Sequence, residues 1–515
     1  MSHDSKTIID FYFTSVGPEE DGNFKCKCGV TRTQKKKTGY TNLMSHVNAQ
    51  HPNYLQELEA TNSKDLQTQL KFVDKKSVNI FSWLEWIVMD LIPFSFVEKK
   101  LTRKNVKLEP ISRSSITKYL LLVSKAVEEK VAQDLPVSFG IVFDGWTDHS
   151  THYVAIFASY SKKNVAEPRN TLLAIAPLLD EESMSASAHK DFLEAVLSFY
   201  NTATANIIFI TGDNCSINTC FADLLNIPFI GCASHRLNLA VQQFLSNNDS
   251  AIEKVHAVMK KLRSVKKSAV LRRSTSLHPV LRNITRWSST FAMLKRYNEL
   301  RPILCEINDP EIVDLLPSPA EERTLSKISS DLDLFDSVTV VLQKETIDLF
   351  DVRILFDDLI EKYPDTSSYL SPSADIVHCP AFETGISKIV AGKSDTLTDV
   401  EKMECVGLLK NREERKQDEV ADVAEMSYAE KVLQSKRQRT VIAVHNDYED
   451  LKYINPTSNI VERLFSSCAM VLTDYRQSLL PIHFEAVMYL KVNRQFWDAI
   501  LVSTVVNAEK DDVEG

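Results

Sequence analysis

Between residues 137 and 235 the chain carries five short β-rich runs: "VSFGIVFDGWTD", "HYVAIFASYSK", "TLLAIAPLL", "ANIIFITGDN" and "IPFIGCASH". One helical pattern, "SASAHKDFLEAVLSFYNT", sits between the third and the fourth. Three neighbouring strands, then a helix and a further strand, predict an α/β fold in which helices pack on a mixed sheet. Two carboxylates fall at equivalent places in this pattern. Asp144 ends the first strand and Asp213 ends "NIIFITGD". A carboxylate at the lip of an apolar strand gains nothing from packing, whereas strand ends and loops are where a rigid sheet aims functional groups. Either Asp alone is equally well a turn residue, so the pair calls for a third member.

At 515 residues the chain has room for two to four domains of usual size, and 44% apolar with 25% charged residues is the make-up of an ordinary folded protein. The formal net charge of -9 argues against uniform coating of nucleic acid, so binding of that kind requires local basic patches. No run of eighteen apolar residues occurs, and "MSHDSKTIIDFYF" lacks the marks of a signal peptide. A soluble, intracellular protein with no membrane partner is expected. Nine scattered cysteines, an odd number, suit reduced thiols better than a disulfide framework.

The one close cysteine pair opens the first module, "FKCKCGVTRTQKKKTGYTNLMSHVNAQH". Cys26 and Cys28 lie on a β-like segment, His46 and His51 in a short helix, and two thiolates with two imidazoles make a tetrahedral zinc site. The histidine spacing is usual, while the single residue between the cysteines is one fewer than usual. The plainer alternative is a solvated basic loop with incidental cysteines. Lys25, Lys27, Arg32, Lys35, Lys36 and Lys37 stand between Gly22 and Pro52 with no acid, which points to phosphate and hence to double-stranded DNA. The aromatic start "DFYF", the Cys pair, the "GYTNLMSH" helix and the closing His resemble a BED-type zinc finger over about residues 10 to 53.

Residues 54 to 135 read as mainly helical, with Trp83 and Trp86 on an apolar face suited to core packing. Further on, "MKKLRSVKKSAVLRRS" carries seven basic residues between Lys260 and Arg273 and no acid, with Val255, Val258, Leu262 and Val265 on the opposite face of a helix. A DNA-facing helix and a merely solvated face both fit. Between Trp287 and Glu462, "PDTSSYLSPSAD" and the charged stretch from Asn411 read as linkers within a compact or trimmed insertion.

Near the C-terminus, "NPTSNIVERLFSSCAMVL" starts with the capping cluster Thr457, Ser458, Asn459 and continues as a helix carrying Glu462 and Arg463. Here the chain resembles the hAT superfamily of cut-and-paste DNA transposases. The "FDGWTD" Asp144, the "TGDN" Asp213 and the "VERLFS" Glu462 match that family's acidic triad; "CASH" supplies Cys232 and His235 beside it; "TRWSST" supplies Arg286 and Trp287; the C-terminal segment matches its dimerisation region. Singly, each has a plain reading: core residues, a packed aromatic, a surface helix glutamate. The resemblance implies an RNase H-like mixed-sheet core interrupted by a mainly helical insertion, preceded by a zinc finger and closed by a helical dimerising segment. It also implies Mg2+ or Mn2+ at the carboxylates, DNA strand cleavage and transfer, Arg286 and Trp287 at DNA with the indole against an unpaired base, homodimers or higher oligomers, and a nuclear location. The expected layout is a finger at 1–58, a helical linker at 59–135, the first part of the core at 136–245, the insertion at 246–440, core completion and dimerisation at 441–500, and a flexible tail at 501–515. A catalytically inactive, domesticated relative acting as a dimeric DNA-binding regulator is the alternative, and a zinc-dependent adaptor without DNA contact ranks last because it leaves the basic finger unexplained.

Overall fold

The structure is a computed structural model that describes residues 9, 12–15, 23–33, 40–51, 73–162, 169–283, 286–410, 447–473 and 479–514. The chain divides into two compact units, residues 1–127 with 493–515, and residues 128–492.

In the first group, strands β1 (Phe13–Ser15), β2 (Asn23–Cys26) and β3 (Thr31–Thr33) form an antiparallel sheet, and helix α1 (Thr41–Gln50) follows. Gly29, at φ 91°, turns the chain between β2 and β3, in a conformation that glycine adopts without a Cβ penalty. Helix α2 (Lys75–Met89) begins at Asp74, whose side chain accepts from Ser77 N at 3.1 Å. Trp83 is buried, as its apolar face predicts, and its indole N–H donates to Glu109 O at 2.9 Å, so the polar end of a packed ring is satisfied. Of the residues expected as a tail, 501 to 514 belong to a helix, Ala499–Glu514, which packs against α2; Val502 and Val506 give it a buried stripe that ties it down. Helix α3 (Arg113–Asp134) runs through the boundary between the two groups.

The second group is built on a five-stranded mixed sheet. Strands β4 (Phe139–Asp148), β5 (Thr151–Tyr160) and β6 (Arg169–Pro177) are antiparallel neighbours. Helix α4 (Ala186–Phe199) then carries the chain to β7 (Ile207–Gly212), parallel to β4, and α5 (Ser216–Leu225) carries it to β8 (Phe229–Gly231), parallel to β7. The order is β6-β5-β4-β7-β8. Phe139 to Phe143 are all buried, the continuous pattern of a strand covered on both faces. Gly140 admits Phe209 so closely that a Cβ there would stand 1.9 Å from its ring.

Helix α6 (Ala233–Ser246) leaves the sheet and opens a helical domain with α7 (Asp249–Leu262), α8 (Val265–Ser274), α9 (Trp287–Ile307), α10 (Pro319–Leu342) and α11 (Leu349–Lys362). One hydrophobic core runs from Ala233 to Leu370. The helices therefore begin before residue 246. They also give way to the sheet before residue 440: helix α12 (Pro380–Val390), Leu397, Cys405 and Leu408 share a core with Phe209 and Ile230. "PDTSSYLSPSAD" is not a linker. It holds two short helical turns with Leu370 fully buried. The charged stretch from Asn411 lies outside the described residues.

The expected single basic helix is two, because the chain breaks at Arg263 and Ser264; Val255, Val258 and Leu262 are buried, while Val265, beyond the break, is 86% exposed. Finally α13 (Asn459–Val471) packs on β4, and α14 (Pro481–Val492) packs on β6. Among the described residues no helix is long and apolar enough to cross a membrane.

Candidate functional site

In the N-terminal module, β2 and its turn carry Cys26 and Cys28, and α1 with its C-terminal residue carries His46 and His51. Their ligand atoms all lie within 4.8 Å of one another. Cys26 Sγ is 3.3 Å from His51 Nε2, and Cys28 Sγ is 3.3 Å from His46 Nε2. A tetrahedral zinc ion with ordinary Zn–S and Zn–N bonds holds such atoms about 3.6 Å apart, so the group is compatible with structural zinc despite the short Cys spacing. Burial lowers the His46 pKa, with Arg32 and His51 adding to the effect, which keeps the imidazole in its neutral, ligating form. Lys25 and Arg32 lie on β2 and β3 and Lys27 follows β2, whereas Lys35, Lys36 and Lys37 lie outside the described residues.

The second site forms at one edge of the large sheet. Parallel pairing ends at Val142↔Thr211, and two residues beyond it on each chain stand Asp144 and Asp213. Equal offsets from one register place both carboxylates at the same lip. Asp144 Oδ1 accepts from Gly145 N at 2.8 Å. Asp213 is held more fully: Ser458 Oγ donates to Oδ1 at 3.3 Å, and His235 Nδ1 lies 3.3 Å from Oδ2.

The segment before α13 is laced to the sheet. Thr211 Oγ1 donates to Asn455 O at 3.0 Å, and Asn455 Nδ2 donates to Ser159 Oγ and Asn170 Oδ1 at 2.7 and 2.8 Å. Ala233 N donates to Pro456 O at 2.9 Å, and Ser458 N donates to the buried Cys232 Sγ at 3.3 Å. Ser458 occupies the N-cap position of α13, yet its hydroxyl makes no cap bond. It is spent on Asp213 instead. The Trp146 ring stacks on Phe465 of α13 with centroids 5.6 Å apart and helps seat α13 on β4, and Glu462, in the first turn of α13, lies near enough to act on the ionisation of Asp144.

The charges record this proximity. Burial, with Asp213 and Glu462 nearby, pushes Asp144 up to about 7. Burial also raises Glu462, with Arg286 opposing and Asp213 reinforcing the shift. Asp213 moves the other way: burial would raise it, but His235 and Ser458 together hold it below the usual carboxylate range. The hydrogen bond to Asp213 raises His235 against its burial. Two neighbouring carboxylates pushed in opposite directions are a common feature of functional sites. Hard oxygen donors are what Mg2+ or Mn2+ takes, usually with several waters retained. Among the described residues, the group of His, Cys, Asp or Glu side chains gathered closely enough to hold a metal ion is the Cys26, Cys28, His46 and His51 set, and the three carboxylates do not form a second one.

Arg286 is 71% exposed, with its guanidinium 3.7 Å from Glu462 Oε2. Trp287 has a different fate from the one its motif predicts. It is 4% exposed and packs in the helical core with Phe291, so its indole is not available to stack on a base. Sequence reasoning missed Asn455 and Ser458, which it treated only as context and cap, and Arg236. Arg236 is buried and pairs with Glu383 at 3.1 Å; it also donates to Tyr369 O at 3.0 Å and Ser371 O at 3.0 Å. Its position directly after "CASH" was the one available signal.

Residues 230–330 match the family model of the ZBED1 RNase-like helical domain. The matched stretch runs from the end of β8 into α10. It supports a ZBED/hAT-type protein and fits an RNase H-like origin for the mixed sheet. Comparison with curated proteins gives no match.

Proposed function

We propose that this is a DNA-acting protein of the hAT type, in which Asp144, Asp213 and Glu462 form a divalent-cation site for DNA strand cleavage and transfer. The carrying observation is that Asp144 and Asp213 stand at one lip of two parallel strands, where Asp213 and Glu462 both act on the ionisation of Asp144 and Asp213 acts on that of Glu462. Mg2+ or Mn2+ bound there would supply Lewis acidity to a phosphodiester oxygen.

The protein's own groups prepare the place. Ser458 and His235 keep Asp213 ionised and oriented. The Cys232 thiol, pushed up to about 12 by burial and by Asp213, stays neutral and receives the Ser458 N–H, which fixes the start of α13. His235, its proton favoured by Asp213, and the exposed Arg286 add positive charge where a phosphate would enter. The zinc module, with Lys25, Lys27, Arg32, Lys35, Lys36 and Lys37, docks on duplex DNA. Self-association through the C-terminal region and a nuclear location complete the reading.

The Arg286–Glu462 contact favours a second reading, an inactive relative that binds DNA as a regulator, because a guanidinium on Glu462 competes with a cation there. Nicking of duplexes carrying the element's own terminal repeats, with Mg2+ or Mn2+, separates the two. The enzyme reading expects nicking by the full-length protein, lost in Asp144→Asn with DNA binding kept. Nicking by Asp144→Asn at the unmutated rate would overturn it, and DNA binding without nicking by either protein selects the regulator.

A further inference from the structure

Seven basic residues stand between Lys260 and Arg273, and the fold treats them unequally. Lys267 pairs with Asp309 at 2.7 Å and Lys261 pairs with Glu311 at 2.5 Å. Lys260, Arg263, Lys266, Arg272 and Arg273 are exposed, and none pairs with an acid among the described residues. On α8, Leu271 is buried and marks the inner face. Lys266 and Arg273 are seven residues apart, which on a helix is about 20° in angle and about 10.5 Å along the axis, so they share one outward face.

The bland account is that cations at helix C-termini complement the helix dipole. It covers Lys260 and Lys261 in the last turn of α7, and Arg272 and Arg273 in the last turn of α8. It does not cover Lys266. That residue lies in the first turn of α8, where the positive end of the dipole opposes a cation, and it has no acid to offset this as Lys267 has. Against a net charge of -9, an exposed run with no acid of its own is a local reversal of sign.

We infer that the end of α7 and the outer face of α8 form a second docking surface for the phosphates of duplex DNA, separate from the zinc module. The inference rests on the DNA-acting reading above and adds to it a contact made by the helical domain. Arg263, Lys266 and Arg273 are its principal groups.

The test measures binding of full-length protein to a fluorescent duplex across a range of KCl concentrations. Each phosphate contact contributes about 0.9 to the slope of log affinity against log salt. Arg263→Gln, Lys266→Gln and Arg273→Gln together are expected to reduce that slope by about 2.7. The charge-preserving set Arg263→Lys, Lys266→Arg and Arg273→Lys is expected to retain it, which separates charge from a folding defect. In a Cys28→Ser background, which removes the finger, residual duplex binding is expected and should vanish with the glutamine set. An unchanged slope in the folded glutamine variant, while Cys28→Ser still weakens binding, would overturn this surface and leave the DNA-acting reading standing. No salt-dependent duplex binding by the unmutated protein would overturn both. Loss in the glutamine variant of binding to an acidic peptide, with duplex binding unaltered, would overturn the assignment of the partner.

Discussion

Asp144 and Asp213 differ by their neighbours rather than by their chemistry. Both are half-buried, yet Asp213 has a histidine and a hydroxyl turned toward it, while Asp144 has one backbone N–H. The consequence is a pH-dependent cost in the metal-free protein. Below about pH 3 the Asp144 carboxyl is mostly protonated in both folded and unfolded chains and costs almost nothing. As pH rises, the unfolded chain ionises first, so the fold loses stability until the folded group titrates at about 7, and the full cost remains above that. Ionisation held off from the ordinary carboxylate range to about 7 corresponds to at most about 4 kcal/mol. Asp144→Asn is therefore expected to raise metal-free stability by about 2–4 kcal/mol at pH 8 and by almost nothing at pH 3, read from urea unfolding at both pH values; an equal effect at the two would refute the assigned cause. The positions of these two aspartates were legible because parallel strands in register carry equal offsets to the same edge. The role of Ser458 was not. It meets Asp213 across 245 positions of chain, and "PTSN" reads locally as a helix cap, which the structure confirms in place but not in bonding.

Among the elements, α6 joins sheet to helical domain, and Arg236 in its first turn does much of the joining. The guanidinium donates to Tyr369 O, Leu370 O and Ser371 O and pairs with Glu383, so it pins the end of a short helical turn against α6 and α12. That is why "PDTSSYLSPSAD" is packed although its composition is that of a linker: its carbonyls are satisfied by a cation more than a hundred residues earlier, a partner local propensity does not reveal. Arg236→Ala would leave the buried Glu383 without its paired cation and the carbonyls of Tyr369 and Ser371 without this donor, while Leu370 O keeps its bond from Arg353. The expected loss is about 3–5 kcal/mol in urea unfolding. Arg236→Met with Glu383→Leu is expected to lose clearly less, since both charges go together; equal losses would show that the carbonyl contacts, not the ion pair, carry the effect. The basic helix teaches the converse lesson. Its apolar face was legible from Val255, Val258 and Leu262, and continuing that period to Val265 failed because the chain breaks at Ser264, where no proline or glycine announces a stop.

At the scale of the whole molecule, the small N-terminal module and the large sheet are stabilised by different means. The finger's described core is Ile9, Tyr12, Phe13, Cys26, Leu43 and Val47, too few apolar residues to fold a module without a metal staple. One zinc per chain is expected by metal analysis and should be lost in Cys28→Ser; a metal-free module with native chemical-shift dispersion would contradict this. The C-terminal region, which the resemblance makes the dimerising segment, spends most of its apolar residues inside: Val461, Leu464, Phe465, Cys468, Phe484, Val487 and Leu490 are buried within the chain, because α13 and α14 cover β4 and β6. Sequence shows that such residues are apolar without showing which surface they cover. Among the described residues from Asn459 to Val492, the large apolar side chains left exposed are Met470, Leu480 and Ile482, at 60%, 57% and 56%. If this region joins two copies, these side chains are the anchors, since truncating the helices would strip the sheet and could not distinguish an interface from a fold. Met470→Asp, Leu480→Asp and Ile482→Asp together replace exposed groups, a class of change that usually alters stability by no more than about 0.5 kcal/mol each. Sedimentation velocity is expected to show the unmutated protein as a dimer or larger and the triple variant as a monomer with unchanged melting. A triple variant that stays oligomeric would move the interface elsewhere, and an unmutated monomer would remove self-association from the account.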